Sequence, residues 1–161
     1  MRIAALSLLV CAAAALLEGL AAGRDVKRRF TELSLPRFSP PFGIWVVIGL
    51  LYYTTCWLIL QRLLTASLTT APRALALVVL VSVMVANAGW TYLFFRLRNL
   101  RASFVAFLPY SALVLILAGI LSRVDRAAAT ILVPYLLYLV YATWWGYSCW
   151  RLNTPRPERA A

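Results

Sequence analysis

Residues 129–153, ATILVPYLLYLVYATWWGYSCWRLN, decide how the rest of the chain is read. As a helix this stretch is long enough to cross a hydrocarbon core, which takes roughly 20 apolar residues. Only Arg151, near its end, is charged. Residues spaced by 3, 4 and 7 line up on a helix, so Pro134, Tyr138, Tyr141, Ala142, Trp145 and Cys149 share one face. Large rings then surround a small Ala142. One reading is a notch where a neighbouring helix approaches the backbone, the usual role of small residues in membrane helices. The other is the wall of a pocket for a flat apolar ligand. Taken alone, the stretch favours the notch.

The rest of the 161-residue chain agrees with a membrane setting. It is 63% hydrophobic and 13% charged, with a mean hydropathy of +0.83. A soluble domain of this size cannot hide so much apolar surface, so an all-α membrane protein is expected, a five-transmembrane-helix bundle. The net charge of +11 comes almost entirely from arginines between apolar segments. There they fix topology and meet anionic headgroups rather than nucleic acid. The absence of histidine removes the commonest metal ligand and near-neutral acid–base group. Cys11, Cys56 and Cys149 each sit in an apolar segment without CxxC spacing and read as buried hydrophobes. Of the five carboxylates, only Glu18 falls within a span, which leaves paired-carboxylate chemistry little to work with.

Five spans follow from the pattern, at about 3–22, 42–64, 74–95, 102–121 and 127–150. The first could be a cleaved signal peptide, with Gly19, Leu20 and Ala21 as the cleavage site. The length of its apolar run, and the crowding of that site by Glu18 and Arg24, favour a retained helix. Cys11, Ala15 and Gly19 form a small-residue stripe on it. Glu18 reads as an acid near a helix end that reaches the interface. Residues 24–41 form a basic loop with a short amphipathic segment at Val26, Phe30 and Leu33. Ser39 before Pro40 reads as the N-cap of the second span. In that span Trp45, Gly49, Tyr52 and Cys56 share a face. Asn87, Trp90, Thr91 and Phe94 share one in the third, and the Asn87 amide needs a partner from another helix or a ligand. Pro109 is expected to kink or loosen the fourth span, where Ser111 and Gly119 offer small contact surfaces. Residues 154–161 read as a disordered tail. Eleven of the sixteen basic residues fall on the side of the long first loop and the C-terminus. The positive-inside rule therefore puts the C-terminus in the cytoplasm.

Several motifs, in order, resemble the translocator protein / tryptophan-rich sensory protein (TspO/MBR) family. Pro36, Pro40 and Pro41 match its P-x-x-x-P-P, with Trp45 and Tyr53 following. Asn87, Trp90, Phe94 and Phe95 complete its N-x-x-W-x-x-x-F-F. Pro134, Tyr135 and Ala142 match P-Y-x-x-W-x-x-x-A, with Tyr138 in place of tryptophan. Trp150, Arg151 and Asn153 match its W-R-x-N end. Three family residues are replaced: Arg29 and Gly49 stand where tryptophans are usual, and Gly146 where an asparagine is. A cholesterol-type motif is only partly kept, with Tyr147 and Arg151 present but Trp145 in place of leucine.

The resemblance implies a five-helix bundle, often a homodimer, in a lipid bilayer, with a bacterial membrane as the expected home. It also implies a pocket roofed by the first loop and faced by Phe38, Trp45, Gly49, Asn87, Trp90, Tyr138, Ala142 and Trp145. Porphyrin or haem would be its ligand, with no cofactor or metal required. Arg28, Arg29 and Arg37 would meet propionates at the rim. Such a protein would act as a tetrapyrrole sensor, regulator or carrier. Two alternatives stay open: a small transporter that uses Glu18 for cations, and a membrane enzyme that degrades bound porphyrin.

Overall fold

The computed structural model describes residues 2–65 and 71–154. Five long helices make up most of the described residues: α1 (Arg2–Ala22), α3 (Phe42–Thr65), α4 (Ala71–Thr91), α5 (Leu100–Val124) and α6 (Arg126–Leu152). A seven-residue helix, α2 (Val26–Glu32), lies in the basic loop between the first two. Each long helix has the length and hydropathy to cross a membrane, α4 together with its extension to Arg96. The sequence placed the start of α4 three residues late, because Pro72 reads as a turn. It sits instead in the first helical turn, where its missing N–H costs nothing.

The helix ends follow local chemistry. Gly23, at φ +81°, takes the left-handed conformation that ends α1, and its N–H reaches the Gly19 carbonyl. The side chains of Asn99 and Asp125 cap α5 and α6 by accepting from the N–H groups of Ala102 and Ala128. Asp125 also receives a two-pronged bond from Arg62 on α3. Burial alone pushes its carboxyl up, but the Arg62 guanidinium and the Ala128 N–H outweigh it and hold the group below its ordinary value. Ser39 does not cap α3 as expected; the helix starts three residues later, and the Ser39 hydroxyl faces Trp145. Pro109 lies within α5, which continues through it.

Helix contacts close a ring: α1 packs on α4, α4 on α5, α5 on α6, α6 on α3, and α3 back on α1. Lipid offers no hydrophobic drive for such contacts, so they depend on close packing. Half the bundle is filled by aliphatic side chains, with Ile59, Leu63, Leu80, Val114, Leu117 and Leu121 almost fully enclosed. The outer surface is also apolar, with Leu9, Leu16, Leu20, Leu137 and Val140 exposed. The half nearer α2 is aromatic, and there the ring of helices leaves a hollow.

Candidate functional site

Three helices aim rings into this hollow. From α3 come Trp45, Gly49 and Tyr52, one face by their spacing of 4 and 3. From α6 come Tyr135, Tyr138 and Trp145. From α4 come Asn87, Trp90 and Thr91. Beyond Thr91 the helix widens into a π-helical turn, Tyr92–Arg96, in which the Leu97 N–H reaches the Tyr92 carbonyl. Such turns re-aim side chains and recur at functional sites. This one buries Phe94, stacked on Trp90 at 5.2 Å between centroids. The resulting chamber has a volume of about 220 Å³. A second hollow of about 50 Å³ adjoins it and shares Trp45, Asn87, Trp90, Tyr138 and Trp145.

Of the eight residues expected to face a pocket, those five line both hollows. Gly49 lines only the larger and Ala142 only the smaller. Nothing lies within 4 Å of where a Cβ on Gly49 would stand, so the missing side chain is a true gap in the wall. Phe38 is not brought in. It is 71% exposed, tilted against Trp144 outside the bundle, and its carbonyl accepts from Tyr141. The prolines around it turn the loop backbone inward and the ring outward.

The basic rim also differs from expectation. Arg28 is tied to Asp25 and Glu32, and Arg37 lies over the Phe38 ring. Arg29 donates to the Phe95 carbonyl. It lines, with Arg98 and Asn153, a separate recess beyond Phe94 and Phe95. Burial, and then the neighbouring Arg98, pull the Arg29 guanidinium below its usual value.

Sequence reading misplaced two parts of the site. The first is Glu18, favoured as an interfacial acid, with cation handling as the alternative; the structure turns it toward neighbouring helices. One carboxylate oxygen accepts from the Tyr53 hydroxyl at 2.6 Å and the other from Thr91 at 3.0 Å, and the group lines the chamber. The second is Phe30, which leaves the amphipathic face of α2 to enter the bundle. It is buried, stacked nearly parallel to Trp145 at 6.5 Å, with Phe42 and Trp45 edge-on.

The loop over the chamber is held at several points. Trp145 Nε1 donates to Ser39 Oγ at 2.9 Å, and Tyr141 donates to Phe38 O at 3.0 Å. The Asn153 carboxamide pairs with Ser34 in both directions, accepting from its N–H and donating to its carbonyl, each at 2.9 Å. Inside, the buried Tyr52 hydroxyl and the buried Trp57 indole N–H have no hydrogen-bond partner. The Asn87 carboxamide, half-buried, lines the hollow.

One family model, that of the TspO/MBR family, matches residues 7–151 of the chain. The chain belongs to the TspO/MBR family. Membership makes this an integral, multi-pass membrane protein with the TspO/MBR five-helix bundle. No curated protein matches the sequence. Gly49 leaves open space in the chamber wall that a larger side chain would fill.

Proposed function

We propose that this protein binds a tetrapyrrole, porphyrin or haem, in the aromatic chamber and serves as its membrane sensor, regulator or carrier. The observation that carries the reading is the layered wall of Trp45, Trp90, Phe94 and Trp145, whose faces suit a flat conjugated ring. Glu18 and Asn87 offer the few convergent polar contacts that fix orientation in such sites.

The chamber is smaller than the roughly 300–1,000 Å³ usual for ligand pockets, so binding a macrocycle requires α2 to yield. Phe30 identifies how. Its ring lies parallel to Trp145 but well offset, with centroids 6.5 Å apart, beside the position one edge of a macrocycle would take, and it leaves with the lid. Arg29 and Arg98, one aromatic layer away, are then the nearest cations for propionates. The C-terminus is proposed to lie in the cytoplasm, which puts lid and chamber mouth on that side.

Titration of purified protein with protoporphyrin, followed by tryptophan quenching, tests this. The parent should quench to saturation. Ala142→Phe overfills the adjoining 50 Å³ hollow, at an overpacking cost of about 1–3 kcal/mol, and should bind roughly ten- to a hundred-fold more weakly. Circular dichroism should be unchanged. Equal binding by Ala142→Phe would return Ala142 to the role of a helix notch.

A further inference from the structure

The chamber holds one charge, and it is negative. Among the described residues no lysine or arginine lines it, and no ion pair neutralises Glu18. Tyr53 and Thr91 use one acceptor site on each carboxylate oxygen, where a carboxylate offers about four in all. Both partners are neutral hydroxyls. They orient the group and leave it without a cationic partner among the described residues. The Asn87 carboxamide lines the same space. Around them Trp45, Trp90 and Trp145 present ring faces, which attract cations.

We infer that the chamber is a site for flat organic cations, aromatic amines or amidines carrying an N–H donor, with Glu18 as counter-ion and the tryptophans as walls. The Glu18 carboxylate receives the N–H, the Asn87 carboxamide takes a second polar contact, and the ring body lies against Trp45 and Trp90. A three-ring heteroaromatic is of a size for this space, so such a ligand enters with less lid movement than a macrocycle. This inference rests on the chamber being a ligand site, as proposed above, but not on the ligand being a tetrapyrrole.

The test uses two dyes of nearly equal shape: 9-aminoacridine, a cation with N–H donors at neutral pH, and acridine, its uncharged counterpart. Each is titrated into the whole protein in an uncharged detergent, with tryptophan quenching as the readout. A charge-assisted hydrogen bond predicts that the parent prefers the cation by about ten- to a hundred-fold. Glu18→Gln should bind both dyes alike. Glu18→Asp disturbs the Tyr53 and Thr91 contacts as well but keeps the charge, and should keep the preference. No preference in the parent, a preference surviving in Glu18→Gln, or its loss in both variants overturns the inference. A parallel protoporphyrin titration separates the two proposals. Porphyrin binding without cation preference removes only this one, whereas failure of porphyrin and both dyes removes the chamber as a ligand site and this inference with it.

Discussion

Replacing Phe30 with alanine separates a lid from a wall. Phe30 is buried against Phe42, Trp45 and Trp145, with centroids at 5.8, 6.3 and 6.5 Å. Truncating a buried phenylalanine costs about 3–5 kcal/mol, and these rings lie toward the far end of the stacking range, so we take about 3 kcal/mol. That loss falls on the closed position of α2 and not on the ring of five helices, whose contacts do not include it. If a ligand enters only when α2 is displaced, apparent affinity scales with the open fraction. Phe30→Ala should then raise the protoporphyrin association rate by up to about a hundredfold, 1.4 kcal/mol being a factor of ten. Stopped-flow tryptophan quenching measures that rate, and dissociation should change less. The melting temperature of the bundle should stay close to the parent's. Unchanged association with faster dissociation would refute the reasoning, because Phe30 would then be a surface the ligand touches.

Three further outcomes follow from the geometry. Asn153→Ala removes two bonds between α6 and the lid; at about 1 kcal/mol each, lid opening should rise about thirtyfold, read as faster tryptic cleavage beside Arg28 and Arg29. Asp125→Ala removes a helix cap and the Arg62 pair, and should cost about 1–2 kcal/mol at neutral pH in thermal melts. Because the folded Asp125 carboxyl is held low, its contribution is complete above about pH 3.9 and lost as pH falls through the folded value. The variant should lack that share of acid sensitivity. We also propose a homodimer through the face of α5 bearing Ser111 and Gly119, where nothing lies within 4 Å of a Cβ on Gly119. Native mass spectrometry should give twice the chain mass, and a monomer from Gly119→Leu; a parent that is monomeric in every mild detergent rules the dimer out.

Five spans were legible because long apolar runs leave a helix no alternative in lipid, and because turns rich in arginine separate them; the one cap read from the sequence, Ser39, faces Trp145 instead. The aromatic wall was legible from spacing within single helices: 45, 49 and 52 on one, 138, 142 and 145 on another. What could not be read depended on which helix stands next to which. Glu18 looks like an interfacial acid until Tyr53 and Thr91, 35 and 73 residues away, are brought beside it. No periodicity joins those three. Phe30 and Phe38 are both loop aromatics in the sequence, and their opposite fates follow from the helical turn that lifts one inward and the prolines that turn the other out. Of the small-residue stripe on α1, Cys11 is buried inside the monomer whereas Gly19 meets nothing. Composition alone cannot divide a stripe in this way.

Most of the attachments of the lid run to the last helix. Ser34, Phe38 and Ser39 are held by Asn153, Tyr141 and Trp145, all at or near the C-terminal half of α6, whereas Arg29 and Pro40 find earlier partners in Phe95 and Trp45. A ribosome delivers the chain from the other end. Throughout translation, then, α2 and its loop emerge before most of the groups that fasten them. If the chamber takes a ring system as proposed, such a ligand meets a loosely held lid until α6 has entered the bilayer, and occupancy of the finished protein would then reflect what the membrane contained while it was being made.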